Sequence, residues 1–147
     1  DTDPDGDGLS VKDVAWVSGS GAISISGNVV TVAVAHGVSQ LSYTITDGEL
    51  TSTSTITITS NHAPTIEDAS RTTDDGSTRV RLRVDDTDGD ALVATCQSTT
   101  NLQVNVVGFQ AFVEVLNGFL GVESFTCTVT DSLGASASAT ITIESVD

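Results

Sequence analysis

Residues 78–92 read Thr-Arg-Val-Arg-Leu-Arg-Val-Asp-Asp-Thr-Asp-Gly-Asp-Ala-Leu. The first seven alternate strictly. Val80, Leu82 and Val84 fall on one face of an extended chain, and Arg79, Arg81 and Arg83 fall on the other. Period two marks a half-buried strand. That strand runs into Asp85, Asp86, Asp88 and Asp90, with Gly89 among them. The same loop is written a second time at residues 1–9, Asp-Thr-Asp-Pro-Asp-Gly-Asp-Gly-Leu. Each copy is followed by a strand ending in another acidic turn, Leu41-Ser-Tyr-Thr-Ile-Thr-Asp47-Gly and Phe125-Thr-Cys-Thr-Val-Thr-Asp131-Ser. Asp7 to Asp47 is 40 residues and Asp90 to Asp131 is 41. Two occurrences at matched spacing make a tandem repeat, so a length that allows one or two domains is read as two.

Working outward in the second repeat, the alternation predicts strands over Ala63–Asp68, Thr78–Val84, 92–97, 102–107, 109–116, 122–130 and 135–143, with a turn at Asp74–Ser77 and Gly or Asn-Gly at most breaks. Seven strands in about 85 residues is the count and spacing of an immunoglobulin-like sandwich. The first repeat supplies strands over 9–17, 22–25, 29–34, 41–46 and 50–59, the pair around Ser26-Gly27-Asn28 reading as a hairpin. It has nothing ahead of its acidic loop to match the first two strands of the second repeat. The expected organisation is therefore all-β, with two sandwiches end to end. Residues 1–60 form a domain lacking its A and B strands, with an open edge, and residues 61–147 form a complete one.

Composition agrees. Hydrophobic residues make up 38% of the chain and there are 13 Gly, a globular proportion. Val, Ile and Leu set among Ser and Thr favour strands. A net charge of −15 with five basic residues excludes nucleic acid as a partner, because binding a polyanion needs basic clusters that release counterions. The same field attracts divalent cations. No apolar run approaches the ~18–20 residues that cross a bilayer, so no membrane insertion is expected in this segment. With no Met and no signal peptide, the chain reads as a piece of a longer or processed protein. Its acidic, Lys-poor surface suits an extracellular setting.

Carboxylates this dense in a Gly-containing turn repel one another unless a cation sits among them. A hard divalent ion with oxygen ligands, calcium, is the natural partner. In a seven-strand sandwich alternate turns collect at one pole. In the second domain that pole gathers the linker, the first acidic loop and the turn at Asp131. The expected ligands there are Asn61, Asp85, Asp86, Asp88, Asp90 and Asp131. The first domain carries Asp3, Asp5, Asp7 and Asp47 at its own pole without a linker contribution, so that site is expected to be weaker or incomplete. The plainer reading is a pair of solvated Asp-Gly turns; duplication and the matched Asp47 and Asp131 favour the metal. An EF-hand does not fit, since the loop lacks the Glu at position twelve and flanking helical patterns.

Asn61-His-Ala-Pro-Thr-Ile66, the Asp-Thr-Asp-(Pro)-Asp-Gly-Asp loop, the Phe/Tyr-Thr-x-Thr-Val/Ile-Thr-Asp strand and the Thr-Ile-Thr-Ile ending together resemble bacterial cadherin-like repeats over nearly the whole chain. The resemblance implies immunoglobulin-like sandwiches in file, calcium at or near the junctions, and an extender or adhesive role in very large secreted proteins. It places the calcium loop on Asp86, Asp88 and Asp90, and on Asp3, Asp5 and Asp7.

Cys96 and Cys127 lie on strands that are sheet neighbours in this topology, which predicts a disulfide; the alternative is two buried free thiols. The arginine stripe reads as a solvated face paired across strands, with Glu114 as a candidate partner. Trp16 reads as core unless exposed for sugar stacking. No nucleophile–base pairing, phosphate-binding loop or zinc spacing is present, and the chain is not expected to be an enzyme. The leading function is a calcium-binding structural or adhesive extender of a bacterial surface or secreted protein, with calcium stiffening the junctions. Its partners would be neighbouring repeats or adjacent subunits, and surface glycans. One alternative is a self-assembling filament subunit whose missing strands come from a neighbour. Another is a carbohydrate-binding accessory domain of a secreted hydrolase.

Overall fold

A computed structural model describes all 147 residues and is all-β. The chain divides into two compact units, Asp1–Asn61 and His62–Asp147.

The first unit holds β1 (Ser10–Ser18), β2 (Gly21–Ser26), β3 (Val29–Val34), β4 (Gly37–Thr46) and β5 (Thr51–Ser60). β1, β4 and β5 form one antiparallel sheet in the order β1-β4-β5, and β2 and β3 form a separate hairpin. Gly21 is required at the entry to β2. Its φ is 152°, and a Cβ there would fall on the Ala33 carbonyl oxygen. Asn28 at the hairpin tip donates from Nδ2 to the Leu9 carbonyl at 2.9 Å, tying the hairpin to the chain as it enters β1.

The second unit holds β6 (Thr65–Ile66), β7 (Ala69–Thr73), β8 (Ser77–Arg81), β9 (Val84–Asp85), β10 (Val93–Cys96), β11 (Leu102–Val107), β12 (Gln110–Val115), β13 (Gly121–Thr130) and β14 (Ser136–Ser145). One sheet has the order β10-β13-β14-β7 with β7 parallel to β14; the other has the order β11-β12-β8, and β6 pairs with β9. All seven expected strands have counterparts, but the second is broken, and the first, expected to end at Asp68, continues after a break into a strand the sequence reading left out, β7. The first leaves β9 at Glu67–Asp68 to join β14 in the opposite sheet, where Asp68 Oδ1 accepts the Thr140 amide at 2.7 Å. The second leaves β12 after Arg81 and pairs with β6 from Val84. Alternation persists through the second change, so residues 78–84 read as one strand; at the first it breaks, with Ile66 and Ala69 half-buried on either side of exposed Glu67 and Asp68.

The inward faces make the core. Val80, Leu82, Leu102, Val104, Ala111 and Val113 from one sheet meet Phe125, Cys127, Ile141 and Ile143 from the other. Each fully buried aliphatic side chain there contributes on the order of 1.5–3 kcal/mol. Cys96 and Cys127 are register partners across β10 and β13 and form the expected disulfide. The first unit repeats the arrangement of β10–β14 and contains no counterpart of β6–β9, as the sequence implied. Its only fully buried residues are Leu41 and Ser39.

The arginines are exposed, with two of them partnered otherwise than expected. Arg83 meets Glu67 at 3.6 Å, and Arg79 lies 5.6 Å from the Phe112 ring centroid. Glu114 is opposite Ser77, two register pairs from Arg79, so it is not the partner expected of the stripe. Trp16 is half-buried opposite Leu41.

Candidate metal centre

The loop between β9 and β10 is built around one side chain. Asp86 Oδ1 accepts the amides of Asp88 at 3.0 Å and Asp90 at 3.1 Å, and the Asp86 carbonyl accepts the Gly89 amide at 3.3 Å. Gly89 closes the turn with φ 78°, a left-handed conformation that glycine adopts without steric cost. The turn after β13 is built the same way. Asp131 Oδ1 accepts the amides of Leu133 and Ala135, both at 2.9 Å, and only 6% of Asp131 is exposed.

These two turns bring Asp86, Asp90 and Asp131 together, with one carboxylate oxygen from each lying within 4.8 Å of the others. Calcium–oxygen distances of about 2.3–2.6 Å put two ligands on opposite sides of an ion roughly 4.6–5.2 Å apart, so the spacing fits one calcium ion. Asp86 Oδ2 is buried with no hydrogen-bond partner, a costly state for an anionic oxygen that a cation would relieve. The donor set is all oxygen and anionic, which suits a hard cation over zinc or copper. The residues present fit calcium.

The start of the second unit reaches the same loop. The His62 amide donates to Asp88 Oδ2 at 2.6 Å, and its Nδ1 lies 3.0 Å from Asp88 Oδ1. Three separated elements thus converge within the second unit: its first residue, the loop after β9 and the turn after β13. Asp88, which His62 also meets, borders the trio, with one of its carboxylate oxygens within 4.8 Å of one of Asp90. Asp85 lies outside it, exposed on β9 with its backbone paired to Thr65. Asn61 is half-buried at the end of the first unit. Ser132, which the motif did not single out, donates its hydroxyl to Asp90 Oδ1 at 3.2 Å. Its only signal was its position beside Asp131, where the first repeat has Gly48.

The first unit forms the same two turns without the cluster. Asp3 Oδ1 accepts the amides of Asp5 at 2.8 Å and Asp7 at 3.3 Å, and Asp3 O accepts the Gly6 amide at 3.3 Å. Asp47 Oδ1 accepts the Glu49 and Leu50 amides at 2.7 and 2.6 Å. The Leu50 amide, then that of Glu49, holds the Asp47 carboxyl below the usual carboxylate range. Asp5 and Asp7 are exposed, and Asp3, Asp5, Asp7 and Asp47 are not drawn into a group like that of the second unit. The physical reason is the missing scaffold. In the second unit a strand, β9, leads into the loop and fixes its entry, whereas residues 1–9 hold no strand.

Comparison with known proteins places this geometry in context. A model of a bacterial Ig domain, Big_9, matches residues 1–59 and again residues 61–144. A comparison with curated proteins finds no match. Among solved structures, the chain is similar to the endo-fucoidan hydrolase MfFcnA4 from glycoside hydrolase family 107, at 22% identity and a TM-score of 0.47, covering 97% of this chain and 24% of that one. It is similar to human CDH23 EC21-23 at 13% identity and a TM-score of 0.49, covering 95% of this chain and 58% of that one. Drosophila N-cadherin EC1-4 gives 13% identity and a TM-score of 0.44, over 95% of this chain and 42% of that one. The chain spans less than two thirds of each of these three proteins. With its two repeats matched in turn over all but a few residues, the chain belongs to the bacterial Ig domain family.

Proposed function

We propose that the chain is a calcium-stabilised, non-catalytic structural module of a secreted or cell-surface bacterial protein, acting as an extender or adhesive segment alongside neighbouring repeats. The observation that carries this reading is the meeting of Asp86, Asp90 and Asp131, with a buried, unpartnered oxygen on Asp86. An exported location is supported by the Cys96–Cys127 disulfide, since such bonds persist in oxidising compartments. The net charge of −15 supports it further by raising the local concentration of divalent cations.

The carbohydrate-binding alternative drew on an exposed Trp16, and that ring is half-buried. Calorimetric titration with calcium tests the main reading. Saturable binding of about one ion per chain is expected, with a dissociation constant of ~0.1–1 mM, the range of extracellular modules. No heat of binding beyond dilution at 10 mM calcium (on the order of ten times the weakest such constant) refutes it.

A further inference from the structure

The outward face of the sheet β11-β12-β8 carries an aromatic ring among long polar side chains. Register sets them in rows across the three strands. Asn105, Phe112 and Arg79 stand side by side, and Gln103, Glu114 and Ser77 form the next row. Asn105, Phe112, Arg79, Glu114 and Ser77 line an open cleft of about 760 Å³, a volume in the range of small-ligand sites. Phe112 is 37% exposed. The Arg79 guanidinium lies 5.6 Å from its ring centroid, beyond the ~3.5–4.0 Å of flat contact, so it borders the ring without lying flat on it.

The first unit shows that the scaffold does not require these residues. Its hairpin β2-β3 turns on Gly27 as β11-β12 turns on Gly108, both with φ 58°. Counting from those glycines, Ser24 and Thr31 pair where Asn105 and Phe112 do, and Ala22 and Ala33 pair where Gln103 and Glu114 do. On the other sheet of the second unit the outward hydroxyls satisfy one another, Ser124 with Thr142 at 2.9 Å and Thr128 with Ser138 at 2.8 Å. Gln103, Asn105 and Glu114 are exposed, and none is tied up by a hydrogen bond to the rest of the chain.

The chemistry of the cleft selects its ligand. A carboxamide offers both donors and an acceptor, a carboxylate accepts from two donors, and a guanidinium donates in a fork. Together they match neighbouring hydroxyls, each a donor and an acceptor. The negative face of an aromatic ring suits the C–H face of a sugar. Arg79 is opposed by Glu114 and, at the end of the cleft, by Asp75. The cleft thus has no positive excess to hold a polyanion against a chain of net charge −15. An apolar partner would leave the polar groups desolvated and unpaired.

We propose that this cleft binds a neutral saccharide, with one sugar ring on Phe112 and its hydroxyls held by Asn105, Glu114 and Arg79. The inference uses no residue of the metal centre and is independent of the calcium reading.

The test follows amide resonances of the full chain, in chelator, during titration with neutral hexasaccharides of β-1,4-glucan, β-1,4-mannan and β-1,3-glucan, and with a uronate hexasaccharide. At least one neutral sugar should give saturable shifts centred on Arg79, Asn105, Phe112 and Glu114, and the uronate should bind more weakly. Replacing Phe112→Thr and Asn105→Ser together installs the pair that the first unit folds with, and should weaken binding ~10-fold or more. Phe112→Tyr should retain it. The proposal is overturned by the absence of shifts with all three neutral sugars at ~10 mM, about ten times a millimolar dissociation constant. Uronate binding as tight as neutral, or undiminished binding by the double variant, overturns it equally.

Discussion

Replacing Asp86 by asparagine separates the two jobs of this side chain. Asn keeps an Oδ1 that accepts the Asp88 and Asp90 amides at 3.0 and 3.1 Å, so the loop is retained. It replaces the buried, unpartnered Oδ2 with a neutral group. Without calcium, Asp86 faces two carboxylates, of Asp90 and Asp131, at up to 4.8 Å. Two unit charges at that distance repel by ~3.5 kcal/mol at an effective dielectric of about 20. Screening and relaxation of the loop leave a net relief on the order of 1–2 kcal/mol. For a unit of this size that corresponds to a rise in melting temperature of roughly 5–15 °C. With calcium the order reverses. Calcium at 100 times its dissociation constant stabilises the wild type by ~2.7 kcal/mol, and the variant has lost an anionic ligand. Differential scanning calorimetry in chelator and in calcium reads both limbs. The variant should melt above the wild type in chelator and below it in calcium. A variant that melts lower in both, or an unaltered difference between the two buffers, refutes the reasoning.

Reducing the Cys96–Cys127 disulfide, which has a sequence separation of 31, should cost the second unit ~3–4 kcal/mol and leave the first unit unchanged, read as a drop in one melting transition. Ile141→Ala, at a fully buried position, should cost ~2–5 kcal/mol, whereas Ile56→Ala, at its 47%-exposed counterpart, should cost less than half as much, measured by urea unfolding. Asp75 is held below the usual carboxylate range first by the Thr73 hydroxyl and then by the Ser77 amide. A lowered folded pKa means a contribution fully present above the unfolded value of ~3.9 and lost as pH falls through the folded one. Asp75→Asn should therefore lower stability at pH 7, with the difference from the wild type shrinking as pH falls below about 4.

The repeat made much of this legible. Two copies of the loop and its partner turn placed Asp86, Asp90 and Asp131 at one pole before any coordinates, because strand alternation fixes which turns share an end. The pairing of Cys96 with Cys127 followed from the same topology. What the pattern could not show was the change of partner after Arg81, since the inward and outward sequence of side chains continues through it; at Glu67–Asp68 the alternation breaks, and β7 beyond it was not read as a strand. The two loops, Asp3-Pro-Asp-Gly-Asp7 and Asp86-Thr-Asp-Gly-Asp90, were told apart only by the linker the first lacks, not by the strand that enters the second. Asp3 and Asp86 make the same turn, but only the latter is entered from a strand paired to β6, and only there are the carboxylates gathered. Asp88 was read as a ligand because the motif spells it so; its hydrogen bonds to His62 left no mark there, since they depend on a contact between the unit's first residue and a loop 26 residues away. The Ser132 hydroxyl on Asp90 left no mark in the composition or the spacing.

The most direct measurement is a calcium titration followed by amide resonances of the full chain. Saturable shifts should concentrate on Asp88, Asp90, Leu133 and Ala135, whose amides donate to the carboxylates of the proposed centre. Asp5, Asp7 and Glu49 in the first unit should move little or only at higher calcium. Resonances of the second unit that stay fixed through 10 mM calcium, roughly ten times the weakest expected dissociation constant, would contradict the account.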